Sequence, residues 1–210
     1  MADGPLPAGD FSAWLAGMQR ALREESESDV PCDGCTACCR SSQFVHIAPD
    51  ETETLASIPA ELLFPAPRRP KGNVLLGYDE EGRCPMLGEG GCSIYEHRPK
   101  ACRTYYCRVL PAAGVEIEDE DQAAIARRAR RWAFGHPTEL DSAEHDAVRA
   151  AARFVRDHGD QLPDGSAPAT ATHRAVLAVR LHELFLGRDD ARPEPEAVRV
   201  VLTSRPARRG

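Results

Sequence analysis

The chain has 210 residues, a formal net charge of −7 and a hydrophobic share of 42%. That share is enough for a packed core, so wholesale disorder is excluded, and no apolar run is long enough to cross a bilayer. The acidic balance argues against generic binding to nucleic acid or to anionic membranes, because such binding needs surplus positive charge.

Three elements are predicted near the N-terminus. Apolar residues recur at helical spacing from Phe11 to Leu22 behind Asp10, a favourable N-cap, and predict a docking helix. Residues 43–47 have the pattern of a short strand. Residues 49–57 predict a helix that begins with a proline and an acidic first turn.

A hairpin and several helices are predicted further along the chain. The apolar runs 74–78 and 83–87, joined by a four-residue turn, predict a β-hairpin whose second strand carries Cys84. After Pro111 the pattern is helical, and we expect helices at 119–134, 142–158 and 173–186, the middle one capped by Asp141. Residues 196–202 fit either a helix or a strand.

All eight cysteines lie between Cys32 and Cys107, and three interpretations compete for them. A disulfide framework suits a secreted protein, but the N-terminal sequence has no basic start before an apolar stretch. Inert core thiols would be scattered along the chain rather than gathered at ligand spacings. We therefore expect a cytoplasmic protein whose thiols bind metal.

The first cysteine block has the spacing C-x2-C-x2-C-C and consists of Cys32, Cys35, Cys38 and Cys39. A two-residue gap lets two sulfurs reach one ion, as in zinc sites, and the same run holds three corners of a [4Fe–4S] cluster in bacterial ferredoxins. Because neighbouring side chains point in different directions, Cys38 and Cys39 serve different metals or one of them is spare.

The second block consists of Cys84, Cys92, Cys102 and Cys107, with gaps too long for a single zinc knuckle. Its thiols must converge by folding: the hairpin presents Cys84, a glycine turn presents Cys92 and a helical turn after Pro99 presents Cys102. Four thiols in each block allow two four-thiolate sites, and one four-iron cluster with spare thiols fits equally well. We expect zinc or iron as the metal, with an iron–sulfur cluster as one form.

Basic side chains flank these thiols in an otherwise acidic chain: Arg40, Arg83, Lys100, Arg103 and Arg108. A zinc ion held by four thiolates carries a net charge of about −2, which such cations would offset. They would also lower the thiol pKa values. Ordinary solvated arginines would give the same pattern.

Two motifs resemble the CxxCxxCC family, the YkgJ-like zinc- or iron-chelating domain that also occurs in flagellin lysine N-methylases. The first is CDGCTACC at residues 32–39, and the second combines CPML at 84–87 with CSIYEHRPKACR at 92–103. The resemblance spans about residues 32–108 and implies metal ligation by Cys32, Cys35, Cys38, Cys39, Cys84, Cys92 and Cys102. Cys107 lies outside the motif and joins the predicted ligands through its spacing.

The predicted fold is α+β: a small, irregular, metal-organised cysteine domain with short strands, followed by C-terminal helices. Composition divides the chain into an acidic N-terminal segment at 1–31, a metal-binding domain at 32–110 and a helical region at 111–210. Thiolate ligation would substitute for hydrophobic core in the loop-rich domain, so its folding should depend on metal.

The leading functional hypothesis is a cytoplasmic metal-binding protein that chelates zinc or iron. One alternative is an enzyme, such as a protein-modifying methyltransferase or a redox enzyme with a cluster near its active site. Another is an interaction module in which zinc is structural and the helices bind a protein partner. The sequence has no GxGxxG, P-loop or GxSxG motif, which weakens the enzyme hypothesis.

Overall fold

The computed structural model describes residues 4–23, 30, 32, 34–67, 69–104, 107–163, 167–168, 170–187 and 193–203. These residues form short helices and strands, as expected for an α+β protein. Their α-helices are Phe11–Leu22 (α1), Thr52–Ala56 (α2), Lys100–Thr104 (α3), Val109–Ala113 (α4), Ala123–Ala129 (α5), Glu139–His158 (α6), Ala171–Leu181 (α7) and Pro195–Thr203 (α8). Their β-strands are Leu6–Asp10 (β1), Val45–Ile47 (β2), Leu63–Pro65 (β3), Val74–Leu76 (β4), Leu87–Gly88 (β5), Gly91–Cys92 (β6) and Trp132–Gly135 (β7).

The chain divides into two compact units. The helical unit contains residues 1–27, 107–117 and 129–210, and the cysteine unit contains residues 28–106 and 118–128. Both units are discontinuous in sequence.

The helical unit is built around α6, which packs against α1, α4 and α7. Apolar side chains that are almost fully buried fill the space between these helices, including Leu110, Val148 and Leu181. The apolar stripe predicted near the N-terminus is confirmed, because α1 buries Phe11, Trp14, Leu15, Met18 and Ala21. None of the described helices is both long and apolar enough to span a membrane.

A parallel pair of strands, β1 and β7, completes the helical unit. The helix predicted at 119–134 is therefore wrong at its C-terminal end, since α5 ends at Ala129 and β7 begins at Trp132. The strand conformation lets the backbone of β7 pair with β1. It also packs the Phe134 ring against Phe11, with centroids 5.1 Å apart.

The Asp141 carboxylate accepts hydrogen bonds at the start of two helices. Its Oδ1 accepts the Ser12 N–H in the first turn of α1 (2.9 Å), and its Oδ2 accepts the Thr138 N–H (3.1 Å) and hydroxyl (2.5 Å). Thr138, rather than Asp141, is the N-cap of α6, and the two residues form a capping box. Asp10 occupies the predicted N-cap of α1, but its side chain makes no capping hydrogen bond. The bonds from Thr138 and Ser12 lower the pKa of Asp141 to about 2.

His145 is buried in the core beside α1. Its ring stacks on Phe11 with centroids 4.1 Å apart, and its Nδ1 lies 2.7 Å from Nε2 of His136. Burial, with smaller contributions from Arg149 and His136, lowers the pKa of His145 to about 4. The imidazole is therefore neutral in the folded protein at neutral pH.

The cysteine unit contains a three-stranded antiparallel sheet in the order β2-β4-β3. Ile47 and Leu76 from this sheet and Ile58 from the loop after α2 form its small apolar core. The strand predicted at 74–78 is confirmed in β4, but its predicted hairpin partner at 83–87 is wrong. Both edges of β4 already pair with β2 and β3, so the chain after the turn has no free edge to join.

The other predicted helices are confirmed with shifted ends. The helix predicted at 49–57 is shorter, because α2 begins at Thr52. The segment predicted at 173–186 divides into α7 and a 3-10 turn at His182–Leu184. The last segment is a helix, α8, rather than a strand.

Replacing Asp141 should destabilise the helical unit more than removing the α6 N-cap hydroxyl does. Thr138→Ala is expected to cost about 1 kcal/mol, or roughly 2–4 °C in Tm for a chain of this length. Asp141→Asn leaves a single acceptor oxygen for two helix starts, so its loss of Tm should be larger. Thermal unfolding followed by circular dichroism compares the two variants. A loss for Asp141→Asn no greater than that for Thr138→Ala would contradict the shared role.

The buried His145 should make the stability of the helical unit depend on pH. The unfolded chain takes up a proton near the usual pKa of 6.5, whereas the folded protein resists protonation until about pH 4. This contribution to stability is complete above pH 6.5 and falls as the pH drops towards 4. His145→Phe keeps a ring against Phe11 and removes the titration. Between pH 6.5 and 4.5, the Tm of the native protein should fall by a few degrees more than that of the variant, and parallel curves would refute this assignment.

Candidate metal centre

The first cysteine block begins with a tight turn between Cys32 and Cys35. The Cys35 N–H donates to the Cys32 carbonyl over 2.7 Å. Gly34 has a φ of +72° in this turn, a left-handed conformation that side chains disfavour. A 3-10 turn at Cys38–Arg40 follows and leaves Cys38 exposed while Cys39 is half-buried. The two adjacent thiols therefore differ in exposure.

Backbone hydrogen bonds join the first block to Cys84. The Cys84 N–H donates to the Cys39 carbonyl over 2.8 Å, and the Ser42 N–H donates to the Gly82 carbonyl over 2.9 Å. A side chain at Gly82 would collide with the Ser42 hydroxyl, and its φ of +73° also favours glycine. Cys84 packs against the apolar core of the cysteine unit, so this junction is anchored to the sheet.

The glycine-containing turn predicted to present Cys92 is the β5–β6 hairpin. Leu87 pairs with Cys92 and Gly88 pairs with Gly91, whose φ is +114°. The Leu87 N–H donates to the Cys84 carbonyl over 2.9 Å. Leu87 therefore links the two cysteines, since it bonds to Cys84 and pairs with Cys92.

Helix α3 carries Cys102, as the Arg-Pro sequence before it predicted. Its first turn is closed by a bond from the Cys102 N–H to the Pro99 carbonyl (2.8 Å). The Glu51 carboxylate accepts the Lys100 N–H at the start of this helix (2.5 Å) and the Ala48 N–H (2.8 Å). A distant carboxylate thus fixes the helix that presents Cys102.

Arg98 connects this helix to the chain that leads into the first block. The side chain is only 4% exposed, and its guanidinium lies 3.9 Å from the centre of the Tyr95 ring. It donates to the carbonyls of Tyr95 (2.7 Å) and Val30 (3.1 Å). Sequence analysis did not single out these roles of Arg98 and Glu51. Their partners are 68 and 49 residues away, so no local pattern marks them.

Thiols from both blocks influence one another electrostatically. Burial, with smaller contributions from the thiols of Cys84, Cys92, Cys32 and Cys35, raises the pKa of Cys39 to about 12. Burial also raises the pKa of Cys102 to about 12, with contributions from Cys39, Cys84, Cys92 and Cys32. The pKa of Cys84 is raised by burial and by Cys92. We call the six cysteines in these interactions the six-thiol cluster: Cys32, Cys35, Cys39, Cys84, Cys92 and Cys102.

The other two predicted ligands lie in different surroundings. Cys38 is exposed at the surface of the cysteine unit. Cys107 belongs to the helical unit, where the Trp132 indole N–H lies 3.1 Å from its sulfur. The Arg108 guanidinium covers the same indole, 4.5 Å from the ring centre. None of the eight cysteines, all of which the structure describes, forms a disulfide.

The flanking cations differ in their surroundings. Arg83 pairs with Asp79 (3.0 Å) and Glu81 (3.1 Å) in solvent, so its charge is already matched. The Nε of Arg103 is buried and has no hydrogen-bond partner among the described residues. The expected lowering of thiol pKa values is wrong for Cys39, Cys84 and Cys102, because burial and neighbouring thiols raise these pKa values.

The chemistry of the six-thiol cluster fits a thiophilic metal. Thiols with a pKa of about 12 are protonated at neutral pH, and they become thiolate ligands when a cation compensates their charge. Within the described ranges, no three His, Cys, Asp or Glu side chains are already placed to hold one ion. Ligation would therefore draw the cluster together.

Comparison with known proteins agrees with this chemistry. No curated protein and no solved structure matched the chain. Residues 31–128 match the CxxCxxCC family, described as "Putative zinc- or iron-chelating domain". This segment contains all eight cysteines and confirms the family resemblance recognised in the two motifs. Residues 31–128 are thus similar to the zinc- or iron-chelating domain of the CxxCxxCC family.

Proposed function

We propose that this protein functions by binding zinc or iron through the six-thiol cluster. The observation that carries the proposal is that the fold joins the two cysteine blocks: the Cys84 N–H donates to the Cys39 carbonyl, and Leu87 links Cys84 to Cys92. Zinc takes four thiolates in a tetrahedron, and a [4Fe–4S] cluster also takes four, so six thiols are enough for either. Cys38 is the next candidate ligand because it adjoins Cys39, and Cys107 is the last because it belongs to the helical unit.

Metal would act on the cysteine unit by replacing protons on buried thiols. The unit has a small apolar core and short strands, so ligand bonds would supply much of its stability. Cysteine thiols that are not in disulfides suit a reducing compartment, which supports a cytoplasmic setting. We propose an iron–sulfur cluster as one form of the bound metal. A brown colour of the purified protein would distinguish it from zinc.

Metal content should depend on the six-thiol cluster and not on Cys107. The full chain is purified without oxygen, and its zinc, iron and inorganic sulfide are counted. We expect at least one bound metal per chain, a strong loss in Cys102→Ser and native content in Cys107→Ser. Each substitution removes one sulfur from the second cysteine block, so each variant is a control for the other. A metal-free native protein, or equal losses in both variants, would contradict the proposal.

Removing the charge of Arg103 should weaken metal retention. Arg103 follows Cys102 directly within α3 and its Nε is buried, and the Cys102 thiolate would carry negative charge in the metal-bound state. Arg103→Gln should therefore release metal to a chelator faster, by about 10-fold, the lower end of the range for groups that support ligands. Arg83→Gln is the matched control, because Arg83 adjoins Cys84 but is exposed and already paired. Equal release rates for native protein and Arg103→Gln would exclude this role.

A further inference from the structure

Arg98 is a buried cation in a region with few regular elements. Its side chain is 4% exposed, and its planar group stacks on the Tyr95 ring. Burying a guanidinium is costly unless its donors are used, and here two terminal nitrogens donate to backbone carbonyls. Arg98 therefore holds backbone segments of the cysteine unit together.

The contacts of Arg98 lie at the junction between the first cysteine block and α3. Arg98 Nη2 donates to the Val30 carbonyl, and the Val30 N–H donates to the Arg103 carbonyl over 3.0 Å. Val30 lies two residues before Cys32, and Arg103 follows Cys102 directly. Both backbone groups of Val30 are thus held by the segment that carries Cys102.

We propose that Arg98 is a positioning residue for the metal centre, which sets the distance between the Cys32 and Cys102 thiols. This inference rests on the proposed metal-binding function. It requires the planar fork of arginine, because one nitrogen holds Tyr95 while the other holds Val30. A lysine ammonium is a single point of charge and cannot reproduce this geometry.

Replacing Arg98 by lysine distinguishes a positioning role from a purely electrostatic role. If Arg98 only offset thiolate charge, Arg98→Lys would keep metal binding. If it positions the cysteine segments, Arg98→Lys should fail nearly as badly as Arg98→Gln. Arg40→Gln is the matched control, since Arg40 adjoins Cys39 but is exposed, and its side chain donates to the nearby Thr36 Oγ1 (3.2 Å).

The test measures cobalt(II) binding to the full chain under reducing, oxygen-free conditions. Competition with a chelator gives the affinity, and the intensity of the thiolate-to-cobalt charge-transfer band reports how many thiolates bind. We expect Arg98→Lys and Arg98→Gln to bind about 10–100-fold more weakly, with a reduced band per cobalt. Arg40→Gln should stay close to the native protein. Native affinity and a native band in Arg98→Lys would overturn the inference.

A double-substitution cycle separates positioning from a general folding defect. If Arg98 acts through the placement of Cys32, Arg98→Lys should have little further effect on cobalt affinity in a Cys32→Ser background. A folding defect would lower the affinity equally in both backgrounds, and that result would also overturn the inference. A native chain that takes up no cobalt overturns the proposed function itself, whereas native uptake with an unchanged Arg98→Lys variant overturns only the role of Arg98.

Discussion

The cysteine unit depends on one constraint: several thiols are buried close together, where their charged forms are unfavourable. Burial and neighbouring thiols both raise the pKa values of Cys39 and Cys102. At this site protonated thiols are tolerated and metal-bound thiolates are stabilised. Thiolates without a cation are destabilised. The site is thus suited to exchange protons for a cation.

Both units use single polar side chains to hold segments that are distant in sequence. The Asp141 carboxylate accepts hydrogen bonds at the starts of α1 and α6, and the Glu51 carboxylate accepts one at the start of α3. Arg98 donates a hydrogen bond to the Val30 carbonyl and so holds it beside the segment that contains α3. Each of these groups satisfies backbone atoms that a short helix or an irregular loop leaves without partners. Short elements can therefore keep a defined geometry without long ladders of secondary structure.

The sequence predicted the features that depend on local pattern. The spacing of the cysteines identified the ligand chemistry, and the apolar stripe behind Asp10 identified α1. It could not predict features decided by distant partners. The run that begins at Trp132 has helical neighbours, yet it pairs with β1 because that strand offers an edge, and β4 rejects a hairpin because both of its edges are occupied. Within the candidate site, spacing could not show that Cys107 belongs to the helical unit, since that follows only from the fold.

The discontinuity of the two units limits how the molecule can be dissected. The segment 31–128, which matches the CxxCxxCC family, includes α4, whose Val109 and Leu110 are buried within the helical unit. A fragment trimmed to the family boundaries would expose this apolar turn to water and invite aggregation. Trimming after residue 106 instead would remove residues 118–128 from the cysteine unit. Neither unit can therefore be expressed intact as one continuous fragment without a piece of the other.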